Sequence, residues 1–549
     1  VLTHIPTYSG PCHPSIYQYI ACTQPVHAWY YVFMLKNIFR PLVLIILDGV
    51  GIAPAGQGNA VTKAPTPFLE SVWDSYPHTL LQASEGHVGL PPGIKGNSEV
   101  GHMNLGSGRV VFQELPRINR AIEKGTFGKN QEFLLALKHT RDHNSRLHTA
   151  VCFSEAGTHG TITHLEALLE FLSSQKFTQP VLIHAFTDGR DSPPKSASQY
   201  FERIEQAIQK HSVGTFATVT GRYYAMDRNE VWDRTEKAYN LLTLGSGHKA
   251  DSWQNALESA YSRGETDEFI TPTILTNIQT SPVIADNDAF ILLNFRADRA
   301  IELTSALLQP EFPFFNRSKT VNNLFFVGMT EYAKGLPKNV AFPKENISLP
   351  LGRILAENDM RQLRIAESEK FPHVTYFFNG GRSIKFNGED RVEVPSPDVP
   401  TYDQKPEMSL PEVTTILLEK LSLRIYDFIV VNFANGDMVG HTGVMDASVK
   451  AMEAVDQATK TIVKSVTALG GAVLITADHG NVEEMTNLKT GEIDTEHSLN
   501  PVPFIFVSPK PVSTQRKLQH GILADITPTI LKLMGINKPE QLTGRCLIP

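Results

Sequence analysis

From Pro41 to the C-terminus, short apolar runs bounded by Gly, Asp or Asn alternate with longer stretches whose apolar residues recur every three or four positions. The short runs predict strands at Leu42–Leu47, Thr149–Ser154, Val181–Phe186, Thr215–Val219, Ala289–Asn294, Val374–Phe378, Phe428–Asn432, Ala472–Thr476 and Phe504–Val507. The periodic stretches predict helices over Thr163–Ser173, Ser196–Lys210, Val231–Leu242, Ala447–Thr467 and Ile522–Met534. Strands apolar on both faces and separated by helices predict an α/β fold with mainly parallel, doubly covered sheets. Ligands of such sheets gather at the carboxyl ends of strands, and this chain keeps its polar motifs there.

A chain of 549 residues exceeds one compact core, so two or three domains are expected. The net charge of −7 argues against a nucleic-acid-binding face but leaves room for a small anion held by local arginines. No apolar run approaches the roughly 20 residues of a membrane-spanning helix, so no membrane partner is expected. Cys12, Cys22, Cys152 and Cys546 show no paired spacing, which predicts reduced thiols in a cytoplasmic protein. Residues 1–40 contain Pro6, Pro11, Pro14 and Pro25 without periodicity and read as a poorly ordered extension, Met34 being suited to start a cytoplasmic protein.

Four predicted strand ends carry ligands for hard or borderline metal ions. Asp48 closes the first strand, and Asp437 is followed four residues later by His441, which puts both on one face of a helical turn. Asp478 and His479 are adjacent in Thr-Ala-Asp-His-Gly-Asn, and His497 precedes a proline-bounded strand. A lone histidine of this kind is more often structural than a ligand. Three carboxylates and three imidazoles together exceed what one ion with open positions uses, so two ions are expected, with Mn²⁺, Zn²⁺ and Mg²⁺ all compatible with a set lacking thiolates. Ser98, in Lys95-Gly-Asn-Ser-Glu-Val-Gly-His-Met-Asn104, is expected at a sharp turn with its side chain outward. A serine hydroxyl needs a base or a metal to become a nucleophile, and no Gly-x-Ser-x-Gly elbow surrounds it, so metal-assisted phosphoryl transfer is the chemistry this set suits.

Between these motifs lies a block rich in loop arginines: Ser154-Glu-Ala-Gly-Thr-His159, His-Ala-Phe-Thr-Asp-Gly-Arg190-Asp191, Gly-Arg222-Tyr-Tyr-Ala-Met-Asp-Arg228 and Asn-Phe-Arg296-Ala-Asp-Arg299. Guanidinium forks grip phosphate and carboxylate bidentately, so the five arginines read as anion clamps. Because metal-ligand motifs flank this block, an inserted domain is expected at 116–341, linkers at 113–115 and 342–344, and a discontinuous metal-binding domain at 41–112 and 345–549.

The series Asp48-Gly-Val-Gly, Gly-Asn-Ser98-Glu-Val-Gly-His-Met-Asn, Thr-Asp-Gly-Arg190-Asp191, Arg222-Tyr-Tyr-Ala-Met-Asp-Arg228, Asn-Phe-Arg296-Ala-Asp-Arg299, Glu-Lys370-Phe-Pro-His-Val-Thr and Ala-Asp478-His479-Gly-Asn closely resembles the cofactor-independent phosphoglycerate mutases of the alkaline phosphatase superfamily. The resemblance runs from about Pro41 to the C-terminus. It implies an alkaline-phosphatase-like metal domain with an inserted α/β transferase domain, and interconversion of 3- and 2-phosphoglycerate without 2,3-bisphosphoglycerate. It further implies two divalent ions, Mn²⁺ foremost with Mg²⁺, Co²⁺ or Zn²⁺ in some members, and a monomer. Carried over by position, Asp437, His441 and His497 would hold one ion, and Asp48, Ser98, Asp478 and His479 the other. Ser98 would form a phosphoserine and Lys370 would lie between metals and phosphate. His159, Arg190, Asp191, Arg222, Arg228, Arg296 and Arg299 would bind substrate, with Asp191 and His159 catalytic. The chain departs from the pattern beside His159, where Gly-Thr replaces the usual Ser-His. The alternatives are a phosphatase or phosphopentomutase of the same superfamily and a non-catalytic phosphometabolite-binding protein.

Overall fold

The structure, a computed structural model, describes residues 39–487, 490–509 and 518–548; all but the last two residues of the expected N-terminal extension lie outside them. The chain forms two compact units. One runs to Val88, from Pro92 to Val111 and again from Ile347 onward; the other comprises Gly89–Pro91 and Phe112–Asn346.

The first unit is built on an eight-stranded sheet in the order Glu389–Val394, Gln362–Glu367, Phe428–Phe433, Leu42–Leu47, Ala472–Thr476, Val502–Val507, His78–Gln82 and Gly521–Ile522. The first five strands are parallel; Val502–Val507 runs antiparallel to both its neighbours. Leu42–Leu47 is buried at every position, because it lies between Phe428–Phe433 and Ala472–Thr476 with helices on the sheet faces. The helix Met445–Ala468 packs against it with a stripe that includes Ala451, Val455, Ile462 and Val466, the spacing of one helical face.

The second unit repeats this logic with the order Asn339–Val340, Phe325–Gly328, Ala289–Leu292, Leu147–Phe153, Val181–Thr187, Thr215–Gly221, Thr273–Leu275 and His248–Ala250. Only the pairing of Thr215–Gly221 with Thr273–Leu275 is antiparallel. Successive residues of the central strand feed opposite cores. Val151 and Phe153 join a cluster with Phe133, Leu165 and Phe201, whereas Ala150 and Cys152 join one with Phe290, Tyr239 and Leu303.

Two local expectations are corrected. Val374–Phe378 is not a strand: His373–Phe377 is one wide helical turn, and burial falls on Val374, Thr375, Phe378 and Asn379, a helical rather than alternating rhythm. Ser98 does not point outward from a turn. It is the first residue of the helix Ser98–Ser107, nearly all of which is buried. Asn97 caps that helix, its side chain accepting from the Val100 N–H at 2.9 Å.

Candidate active site

Four neighbouring parallel strands of the first unit deliver their carboxyl ends to one place. Asp48 follows Leu42–Leu47, and Asp478 and His479 follow Ala472–Thr476; Asp437 sits in the short helix Asn435–Gly440 after Phe428–Phe433, and Lys370 lies beyond Gln362–Glu367. The Lys370 ammonium donates to Asp48 Oδ1 at 2.8 Å, to Asp437 Oδ2 at 2.5 Å and to Ser98 Oγ at 2.7 Å. Ser98 Oγ also lies 3.0 Å from His479 Nε2 and 3.2 Å from Asp48 Oδ1. All of these side chains are buried.

Electrostatics make this cluster hungry for positive charge. Burial alone would push the Lys370 ammonium toward its neutral form, but Asp48 and Asp437 outweigh it and hold the group well above the usual lysine range. His479 behaves likewise: burial opposes its charging, yet attraction to Asp478 and a hydrogen bond with Asp48 carry it up to about 10. Burial works against ionisation of Asp48 and Asp437 too, and the Lys370 charge reverses it, keeping both far below the ordinary carboxylate value.

Two groups can each hold an ion: Asp437, His441 and His497, and Asp48, Asp478 and His479. The imidazoles of the first group are fixed from behind, His441 Nδ1 against the Thr495 carbonyl at 2.7 Å and His497 Nδ1 against that of Gly96 at 2.8 Å. A carbonyl can only accept, so each Nδ1 donates, and in the neutral imidazoles both Nε2 atoms present lone pairs. These lone pairs face one another at 3.1 Å, with Asp437 Oδ1 3.2 and 3.1 Å from them. Three acceptors so close together repel unless a cation joins them, which is the second-sphere arrangement of a metal-binding histidine pair. In the other group, Asp478 Oδ2 is buried and accepts no hydrogen bond. The neighbouring His102 Nδ1, 3.1 Å away, is committed to the Ser98 carbonyl at 2.9 Å. That orphaned oxygen also fits a cation.

Residues that pattern reading passed over hold this set. Asn432 donates to Asp48 Oδ2 at 2.6 Å and lies 3.1 Å from His102 Nε2; Asn481 donates to Asp437 Oδ1 at 3.2 Å. Their signal was present in the polar ends of the same strands, but amide side chains there read equally as turn residues.

The second unit gathers its own polar set at the strand ends after Val181–Thr187, Thr215–Gly221 and Ala289–Leu292. Arg222 is 1% exposed and donates through Nη1 to Asp188 Oδ1 at 2.5 Å and Asp191 Oδ2 at 2.6 Å. An arginine expected as an anion clamp therefore serves as a buried tie between two carboxylates, which a sequence cannot display because the partners come from another strand end. Asp298, also overlooked, lies 2.8 Å from Arg228 Nη1, 3.2 Å from Arg296 Nε and 3.7 Å from His159 Nδ1. Arg190 pairs with Glu268 at 2.7 Å. Arg299 donates to the Met226 carbonyl at 2.9 Å and keeps a buried Nε without a partner. Burial first, and then the nearby Arg222, push His159 down to about 4, so it is neutral near pH 7; its Nε2 is 3.8 Å from Asp191 Oδ2. Five guanidinium groups against Asp188, Asp191, Asp298 and Glu268 leave one positive charge over, fitting a small anion.

Comparison with known proteins places these features in a wider group. The family description "Metalloenzyme superfamily" matches residues 40–538. A 2,3-bisphosphoglycerate-independent phosphoglycerate mutase from Methanosarcina acetivorans is 48% identical over 512 residues, 93% of this chain and 98% of the relative. One from Thiobacillus denitrificans is 47% identical over 510 residues, 92% and 99% of the two chains. Among solved structures, phosphoglycerate mutase of Leishmania mexicana, crystallised at low cobalt concentration, is similar with a TM-score of 0.53 at 30% identity, covering 93% of this chain and 98% of its own.

Proposed function

Since the chain belongs to the 2,3-bisphosphoglycerate-independent phosphoglycerate mutases of the metalloenzyme superfamily, we propose that Ser98 is the nucleophile with which it interconverts 3-phosphoglycerate and 2-phosphoglycerate. The observation that carries this reading is the position of Ser98 Oγ, 2.7 Å from a buried ammonium and 3.0 Å from His479. A positive charge at that distance favours the serine oxyanion and opposes the charge build-up on a phosphoryl group bound beside it.

Asp437, His441 and His497 would hold one divalent ion and Asp48, Ser98, Asp478 and His479 the other, with Mn²⁺ first among candidates. Bound ions supply further positive charge that favours the oxyanion and the transferring phosphoryl group. Ser98 Oγ, whose proton leaves to solvent as the oxyanion forms, attacks the phosphorus of 3-phosphoglycerate in line, the bond from phosphorus to the C3 oxygen breaks, and a phosphoserine is left. The departing C3 oxygen takes up a proton from solvent, and Asp191, whose Oδ2 accepts from Arg222, is a carboxylate able to take a hydroxyl proton in the second half-reaction. Glycerate turns without leaving. Its C2 hydroxyl gives its proton to Asp191 and attacks the phosphoserine, and the departing Ser98 oxygen takes up a proton again, regenerating Ser98 and yielding 2-phosphoglycerate. Arg190, Arg228, Arg296 and Arg299 grip the carboxylate and phosphate, while neutral His159 donates to or accepts from substrate hydroxyls. We read the inserted segment 116–341, with linkers 113–115 and 342–344, as the substrate-binding transferase domain. The enzyme is further read as a cytoplasmic, glycolytic and gluconeogenic monomer without nucleic-acid partners; no helix among the described residues is long and apolar enough to cross a membrane.

Ser98→Ala tests the reading. Interconversion in both directions should vanish without added bisphosphoglycerate, while binding of Mn²⁺ persists. Phosphoserine at position 98 should be recoverable by mass spectrometry from acid-quenched native enzyme and absent from the variant. Residual interconversion by Ser98→Ala, or release of inorganic phosphate in place of isomer formation by the native enzyme, would overturn it.

A further inference from the structure

Glu483 is fully buried, touches no residue of the transfer chemistry and has no part in the reading above, yet it sits where three loops converge. Its Oε2 accepts from the backbone N–H of Gly51 at 2.8 Å and from that of Asn481 at 2.8 Å. Its Oε1 accepts from the Ser498 hydroxyl and from Asn500 Nδ2, the latter at 3.1 Å. Gly51 is three residues beyond Asp48, Asn481 is three beyond Asp478, and Ser498 follows His497. One carboxylate thus ties the loops that carry ligands of both groups.

The backbone is shaped around it. A Cβ at Gly51 would strike the Glu483 carboxylate, and a Cβ at Gly480 would strike both that carboxylate and Ser498 Oγ. Asn481, anchored through its own N–H, in turn donates to Asp437 Oδ1, extending the tie to the helix that bears Asp437 and ends at His441. Four donors converge on the two oxygens of this one side chain. An amide in its place would turn one oxygen into a donor: pointed at Gly51 and Asn481 it would cost both backbone N–H groups their acceptor, and pointed at Ser498 and Asn500 it would reverse the Ser498 bond and leave Asn500 Nδ2 only Glu484 Oε2 at 2.8 Å.

We infer that Glu483 is a positioning residue for the metal centre: it fixes the loop of His497 against the loops of Asp48 and Asp478, so that both ligand groups exist in register. The inference rests on the two-group metal reading. Partners of this kind, acting behind the ligands, typically change metal affinity by about 10–100-fold.

The test is equilibrium binding of Mn²⁺ alone to Glu483→Gln, Glu483→Asp and Ser498→Ala, with stoichiometry by elemental analysis after dialysis and the spin coupling of bound ions by electron paramagnetic resonance. For the native protein, two equivalents with a coupled spectrum are expected. Glu483→Gln should lose at least tenfold in affinity for one equivalent and give an uncoupled spectrum, with circular dichroism unchanged. Ser498→Ala, which removes a single donor and leaves the carboxylate in place, should show a smaller loss confined to that equivalent, and Glu483→Asp should recover part of it. Where Glu483→Gln fails to fold, Ser498→Ala alone decides the matter. Two equivalents bound with native affinity and native coupling in every variant that folds would overturn the inference. A native protein that binds fewer than two equivalents would instead refute the two-group reading on which it rests.

Discussion

Lys370 is the hub of the polar contacts proposed for phosphoryl transfer, because its Nζ reaches two carboxylates and the Ser98 hydroxyl at once. Lys370→Met keeps the length of the side chain and removes the charge. It should lower kcat at least 100-fold, the scale expected for a preorganised electrostatic contact, and rapid-quench measurement should show slowed phosphorylation of Ser98. Glu367 offers a second test of single-residue electrostatics. Burial raises its carboxyl to about 7, and its Oε2 is buried without a partner. A carboxyl whose folded value lies above its unfolded one destabilises the protein as pH rises from the unfolded value through the folded one. Glu367→Gln should therefore stabilise the protein at pH 8 by about 1–3 kcal/mol and flatten the dependence between pH 5 and 7, measured by urea unfolding. At this scale the sequence was informative where spacing is local and silent where it is not. The proximity of Asp437 and His441 followed from four residues of helical spacing, whereas nothing near Arg222 foretold Asp188 and Asp191 as its partners. Lys370 entered only through the family resemblance, since a lysine among Glu, Phe and Pro has no distinguishing pattern of its own.

The helix Ser98–Ser107 shows how an element can place a buried serine hydroxyl while looking like a loop. Its sequence has no apolar stripe because it is enclosed on nearly all sides, and small residues allow that enclosure. A Cβ at Gly101 would meet the Asp478 carbonyl oxygen at 2.6 Å and its Cβ at 2.8 Å. Gly101→Ala should consequently destabilise by about 1–3 kcal/mol through overpacking, and should weaken Mn²⁺ binding by displacing Asp478, both readable in one thermal-shift titration. Asn97→Ala removes the cap and should cost about 1 kcal/mol of stability. The same blindness to context explains the strand Gln362–Glu367. Its Gln, Arg and Glu suggest a solvated segment, yet every position is buried: Arg364 is stacked over Phe378 and Phe428 and bonded to Gln362 at 2.6 Å. Runs of uniformly apolar residues such as Leu42–Leu47 and Phe428–Phe433 were legible because burial on both faces leaves no alternative composition.

Over the whole chain, buried neutral histidines govern the response to acid. Burial lowers His164 to about 3 and His373 to about 4, and lowers His148 and His184 as well. Their stabilising contribution is complete above the ordinary histidine value of about 6.5 and is lost as pH falls toward the folded values, each by up to ~1.4 kcal/mol per pH unit. Chelator-treated protein should accordingly show a melting temperature that declines from about pH 6.5 downward, before carboxylates begin to titrate. Restoring Mn²⁺ at pH 7.5 should raise the melting temperature in proportion to the logarithm of free metal, as for any ligand that binds the native state alone. The connectivity of the first sheet has a further consequence, for biosynthesis. Leu42 emerges from the ribosome early, yet both its lateral neighbours begin at Phe428 and Ala472, and 384 positions separate Asp48 from the asparagine that steadies it. At translation rates of about 5–20 residues per second, the oiliest hexapeptide of the chain waits some tens of seconds for its hydrogen-bonding partners. Throughout that interval the hexapeptide lacks its lateral partners, and the ion group proposed at Asp437, His441 and His497 cannot assemble until His497 has cleared the exit tunnel.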